Sequence, residues 1–179
     1  MPDLYFYDSQ DSDIAAGARS VGDGNQNLVL RGVASYGEVL NILDAFIRQQ
    51  QQFANIFFNT HGAPGSVALP NGRLNLSNAH QLVLRSDIFG GQGRVLFMGC
   101  NCGDDDVGWR FMDAVGHALV LNGFVGASNS VTVHGNWGLF EPRLPAWGLL
   151  RIVQMREGRI IRRSEIGSRL AHWLEALFG

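Results

Sequence analysis

Apolar positions along this chain recur at two different periods, and the changes of period mark out its elements. The aromatic run LYFYD at 4–8 reads as a strand, and the polar, Gly-containing stretch behind it reads as a long loop over 9–27. LVLRGVAS, 28–35, is a second strand. Ser35 and Glu38 then stand at the Ser-x-x-Glu spacing in which side chains and backbone satisfy each other at a helix start. Val39, Leu40, Leu43, Phe46 and Ile47 follow at helical intervals, which predicts a helix over 36–50 with one face on a sheet and Gln49–Gln52 as its frayed end.

ANIFFNT, 54–60, is a strand that stops immediately before His61-Gly62. SVALPNGRLNL, 66–76, carries Asn71-Gly72 between short apolar stretches and predicts a small hairpin. A helix is expected near 77–89. RVLFM, 94–98, is apolar almost throughout, as a strand buried on both faces must be, and runs into Gly99-Cys100. Asp104–Asp106 can cap a helix over 106–121 whose inner face is Val107, Phe111, Ala114, Val115 and Ala118. FVGAS, 124–128, is another buried strand. Residues 149–163 alternate around Glu157-Gly158 as a hairpin, and 165–178 close the chain as a helix with Leu170, Trp173, Leu174 and Leu177 inward. Strands separated by helices make an α/β fold with a mainly parallel sheet covered on both sides.

The length of 179 residues fits one domain, 1–179, and 46% apolar against 17% charged residues supplies a core without a disorder signature. A formal charge of −2 with no Lys/Arg cluster gives no footprint for nucleic acid. No segment approaches the roughly 18 consecutive apolar residues of a membrane span, and the start has no basic n-region followed by an apolar stretch. A cytoplasmic location is therefore expected, with signal-independent export also compatible. Cys100 and Cys102 are the two cysteines, too close in an extended chain for easy disulfide geometry and suited to a reducing compartment.

Ligands of parallel sheets gather beyond the carboxyl ends of the strands, and His61 and Cys100 both fall there. A thiolate at such an edge, with an imidazole near, is a nucleophile with an acid/base for the leaving group. Gly62 and Gly99 permit sharp turns and close approach of a substrate backbone, and the N–H groups of Gly62 and Cys100 are candidate oxyanion donors. The plainer alternative makes Cys100 a small buried hydrophobe and His61 a strand cap. Cys102 is open among second nucleophile, resolving thiol and packing residue. Asp104–Asp106 orient the helix behind them, whose positive end favours a thiolate while their own charges oppose it.

These blocks resemble the caspase-like cysteine peptidases of clan CD, in which one apolar block ends in His-Gly and a second ends in Ala-Cys or Gly-Cys. IFFNTHG and VLFMGC are the counterparts here. HGAPGSVALPNGRLNL, FMGCNCGDDDVGWRFMDAV and GFVGASNS, together spanning about residues 55–130, look most like the caspase-like domain found near the amino terminus of very large bacterial surface proteins. The resemblance implies a caspase-like three-layer sandwich, a mainly parallel sheet with helices on both faces and a C-terminal hairpin. It also implies endopeptidase activity through an acyl-enzyme, with Cys100 as nucleophile and His61 assisting the leaving amine. Arg19 and Asp23 in the first loop and Ser128 at the end of GFVGAS become candidate substrate-binding residues, because such enzymes use loops beyond strand ends for specificity.

The partner expected is a protein or peptide substrate, with no nucleic acid, no membrane and no cofactor; oligomeric state is open. The rival is an inactive caspase-like module that binds a protein partner. GCNCG fails as a hydrolase elbow, since its central residue is Asn101. A metal site recruiting Cys100, Cys102, His61 and His134 lacks the usual zinc spacing, so no metal is expected. His80, His117, His134 and His172 receive no catalytic role, His134 being kept as a backup, and Trp137 and Trp147 flank a segment able to cover the site.

Overall fold

The computed structural model describes residues 1–129 and 149–167. In chain order the elements are β1 (Asp3–Asp8), α1 (Ser12–Gly22), β2 (Leu28–Val33), α2 (Tyr36–Arg48), β3 (Phe53–Asn59), β4 (His61–Ala63), β5 (Ser66–Leu69) and β6 (Gly72–Asn75). Two 3-10 turns, Ala79–Leu82 and Ser86–Ile88, precede β7 (Phe89–Phe97), α3 (Asp105–Leu119), β8 (Gly123–Ser128), β9 (Leu149–Arg156) and β10 (Arg159–Gly167). Seven strands form the main sheet in the order β10-β9-β8-β7-β3-β1-β2, and β4-β5-β6 form a small second sheet. The five strands from β2 to β8 in the main sheet are parallel, and the hairpin β9–β10 adds two antiparallel strands at one edge.

Handedness decides which face each helix covers. Right-handed crossovers from β1 to β2 and from β2 back past β1 to β3 run in opposite directions, so their helices must lie on opposite faces. The packing agrees. Ala18 of α1 clusters with Tyr5, Phe57, Leu96 and Met98, whereas Val39, Leu43 and Phe46 of α2 and Phe111, Met112 and Val115 of α3 cluster with Leu4, Phe6, Ile56, Phe58 and Phe97. Alternate residues of one strand thus serve opposite layers. The result is a mixed α/β fold with helices on both faces of a mostly parallel sheet, compatible with a three-layer sandwich.

Phenylalanines level the strands. Phe6, Phe58 and Phe97 are neighbours in register across β1, β3 and β7, with ring centroids 5.2 and 5.1 Å apart, and Phe111 of α3 continues the row at 5.0 Å. Cross-strand aromatic pairs of this kind add about 0.5–1.5 kcal/mol each beyond burial and penalise a slip of register. Because the row sits near the carboxyl ends, the loops after Asp8, Asn59 and Phe97 emerge at one level of one edge.

Several expectations need correction. The loop 9–27 contains α1: Asp11 caps it, and Ile14, Ala15 and Ala18 are its buried side. Small residues and Gly17 conceal the periodicity, yet they let the helix lie close to the sheet. The helix expected near 77–89 is instead two 3-10 turns, with Leu84 at φ +70° between them. Buried Ala79 and Leu82, three residues apart, satisfy a 3-10 turn as well as an α-helix. The turn between β5 and β6 is Pro70–Asn71, with Gly72 already paired to Leu69. Val107, expected inside, is exposed, and Met112 and Leu119 lie inside instead. β7 begins five residues before Arg94, at Phe89. The Glu157-Gly158 turn is present with both φ angles positive, as a type I′ hairpin demands, but β10 runs on to Gly167 and takes the first residues of the helix expected at 165–178. The rest of that helix, with His172, lies outside the described residues, as do His134, Trp137 and Trp147. No described helix is long and apolar enough to cross a membrane.

Candidate active site

The strand order reverses at β1, which has β2 on one side and β3 on the other, so the chain leaves these neighbouring carboxyl ends toward opposite faces. Such a switch point leaves a crevice at the sheet edge. Asp8, buried at the end of β1, accepts the N–H groups of Gln10 and Asp11 on Oδ1 at 2.8 and 3.1 Å and so shapes the turn that delivers Asp11. Asp11 then divides its carboxylate. Oδ1 caps α1 by accepting the N–H of Asp13 and Ile14, each at 2.9 Å, and Oδ2 lies 2.9 Å from Nε2 of His61, which is the residue two beyond the end of β3.

This carboxyl is held below the ordinary range, first by the Ile14 N–H and then by His61. An ionised carboxylate only accepts, so Nε2 of His61 is the donor in this pair and Nδ1 is the other ring nitrogen. The His61 side chain is 62% exposed and that of Asp11 28%, so the pair stands open to solvent. Asp11 was missed in the sequence because DSQDSD reads as a loop; its signal was Asp11 followed by Asp13 and Ile14-Ala15-Ala16, a cap and a first turn.

Cys100 lies just beyond β7 on a loop locked to the His61 loop. Met98 N–H donates to Phe58 O at 2.9 Å, and Gly65 N–H donates to Cys102 O at 3.0 Å. A Cβ on Gly62 would lie 2.2 Å from Cys102 Sγ and 2.6 Å from Cys100 O, and one on Gly99 would lie 2.9 Å from Cys102 Sγ and Thr60 O. Only glycine fits at these two places, because the backbones of the two loops touch. Cys102 is the fully buried wedge between them. Burial pushes its thiol up to about 12, with Cys100 adding to the rise, so Cys102 is a neutral packing group at physiological pH. Neither cysteine is in a disulfide, and Cys100 is half-buried where Cys102 is buried.

The structure therefore brings together His61, Gly62 and Cys100, the last two through the approach of Gly62 to the Cys100 carbonyl. Ser128 lies beside the same loop, its carbonyl accepting Gly103 N–H at 2.7 Å, but its side chain is fully buried and faces no solvent. Arg19 and Asp23 are not part of the cluster. They occupy the last turn and C-cap of α1, and at 1.5 Å rise per residue Asp23 lies roughly 18 Å along the helix from Asp11. His80 is exposed on its 3-10 turn, and His117 Nδ1 lies 3.0 Å from Gly158 O, away from this edge. Among the described residues no three His, Cys, Asp or Glu side chains are grouped as a metal site.

A thiol, an imidazole oriented by a carboxylate, and two glycine-lined loops can perform acyl transfer. No curated protein matches the sequence. A family match covers residues 5–142 and so takes in Asp8, Asp11, His61 and the whole Cys100 loop; the chain belongs to the family described as domain of unknown function DUF4347.

Proposed function

We propose that this chain is a caspase-like cysteine endopeptidase in which Cys100, His61 and Asp11 act together. The observation that supports it most is the interlocking of the His61 and Cys100 loops through Gly62 at the switch-point edge, with Asp11 bonded to His61. The resemblance of IFFNTHG and VLFMGC to the two caspase-like blocks supports the same reading.

In the proposed reaction the Cys100 thiol gives its proton to Nδ1 of His61, and the sulfur bonds to the carbonyl carbon of a peptide. The N–H groups of Gly62 and Cys100 receive the oxyanion. The C–N bond then breaks as His61 returns the proton to the departing amine, leaving a thioester on Cys100. Water next adds to the thioester with His61 taking its proton, and the C–S bond breaks to release the carboxylic acid and the thiol. Asp11 holds the ring in one orientation throughout, with the Nε2 proton kept on its carboxylate side.

A panel of peptidyl acyloxymethyl ketones, read by intact mass, tests this. One adduct on the wild type is expected, absent in Cys100→Ala, slowed by about 100-fold or more in His61→Ala and still formed at Cys100 in Cys102→Ala. A folded wild type that takes no ketone, although iodoacetamide modifies Cys100, overturns the peptidase reading and leaves a protein-binding module in its place.

A further inference from the structure

Arg151, on β9, lies 51 residues beyond Cys100 and outside the family match, yet it grips the loop that carries the thiol. Its Nη1 donates to Gly103 O at 2.7 Å and to Asp105 O at 2.8 Å. Nε donates at 2.6 Å to Oε1 of Glu165, the residue directly opposite in the register of the hairpin. The guanidinium carbon sits 4.9 Å from the centre of the Trp109 ring on α3, and the side chain is only 15% exposed. Glu165 and Trp109 thus fix the orientation of the fork before it meets the two carbonyls.

The loop needs such a hold. Asn101 and Asp105 have φ of +57° and +55°, in the left-handed region that Asn and Asp enter more readily than other side chains, so two sharp reversals flank the loop and its path depends on what holds it. Cys102 enforces the loop from the His61 side, and Arg151 grips the two carbonyls flanking Asp104, the N-cap of α3. We infer that Arg151 is a positioning residue for Cys100, setting the loop that presents the thiol and tying that setting to the β9–β10 hairpin. Its catalytic consequence rests on the peptidase reading above.

Arg163 supplies the control. It lies on the same hairpin and also ties it to α3, through Nη2 to Asp113 Oδ2 at 2.7 Å, but it bonds nothing in the Cys100 loop. The comparison uses Arg151→Ala, Arg151→Lys, Glu165→Gln and Arg163→Ala, each read by the rate of peptidyl ketone addition at Cys100 and by peptide-mapped iodoacetamide modification of Cys102. Arg151→Ala is expected to slow ketone addition by about tenfold to a hundredfold and to open Cys102 to iodoacetamide in the folded protein. Arg151→Lys falls between, because an ammonium lacks the planar fork, and Glu165→Gln has the smallest effect of the three. Arg163→Ala leaves both rates as in the wild type.

Equal behaviour of Arg151→Ala and Arg163→Ala, whether both inert or both impaired, overturns the inference. If Arg151→Ala does not fold, Arg151→Lys and Glu165→Gln against Arg163→Ala decide it. If the wild type takes no ketone, the peptidase reading falls, while exposure of Cys102 in the Arg151 variants alone still decides whether Arg151 sets the loop.

Discussion

His61 and Cys100 leave adjacent strands at one edge, but the two sides of the site are held by different forces. The imidazole is turned by one charge-assisted bond to Asp11 in a pair that is 62% and 28% exposed. Such pairs contribute about 0–1 kcal/mol and weaken with salt. The thiol is placed by buried contacts: Gly99, Cys102 and Gly103 are buried, and Gly62 touches the Cys100 carbonyl. Packing of that kind yields only in steps of whole kcal/mol. One side is therefore adjustable by protons and ions, and the other is all or none.

The largest effect should come from Gly62→Ala. The added methyl meets a sulfur at 2.2 Å and a backbone oxygen at 2.6 Å, and the oxygen cannot rotate away. A loss of about 3 kcal/mol, near 10 °C in melting temperature, is expected, together with disappearance of ketone labelling. A variant that keeps wild-type melting and labelling would show that the loops are not interlocked. Cys102→Ala comes next. It removes a fully buried sulfur and opens a small void between the two loops, at a cost of about 1–3 kcal/mol in urea unfolding. Combining it with Gly62→Ala sharpens the test, since removing the sulfur relieves one of the two clashes and the pair should cost less than the sum.

The same contrast explains what the sequence discloses. Long apolar strands state themselves: LYFYD, NIFFN and RVLFM give three parallel strands, and Gly62 and Gly99 beyond the last two mark the edge to which His61 and Cys100 are delivered. Periodicity is a property of neighbours in sequence, so it carries these elements and the Ser35 cap, whose Oγ accepts Glu38 N–H at 3.2 Å. Asp11 is different. Its role depends on β1 and β3 lying side by side, which no local pattern states, and its helix is built from alanines and glycine that bury little area. Arg151 is more distant still, because only the placement of β9 next to β8 brings it to Gly103. Arg19 and Asp23 mislead for the converse reason: read as loop they belong at the edge, and as helix they are carried away from it.

Asp11→Asn probes the adjustable side. Asparagine keeps the N-cap of α1, so stability at neutral pH should change by less than about 1 kcal/mol. Ketone addition should fall by about fivefold, the kinetic equivalent of about 1 kcal/mol in lost orientation of His61, and the ratio to wild type should shrink as salt is raised. The smallest effect is in the acid limb of stability. Because the Asp11 carboxyl is held below its ordinary range by the Ile14 N–H and by His61, the folded chain binds that proton more weakly than the unfolded chain does. Its contribution is complete above the ordinary carboxylate value of about 4 and is lost as pH falls through the lower folded value. The stability of wild type relative to Asp11→Asn should therefore decline as pH falls below about 4. Acid limbs that run parallel would mean that neither the Ile14 N–H nor His61 favours the ionised carboxyl in solution, and the site would reduce to a thiol placed by packing beside an imidazole that nothing orients.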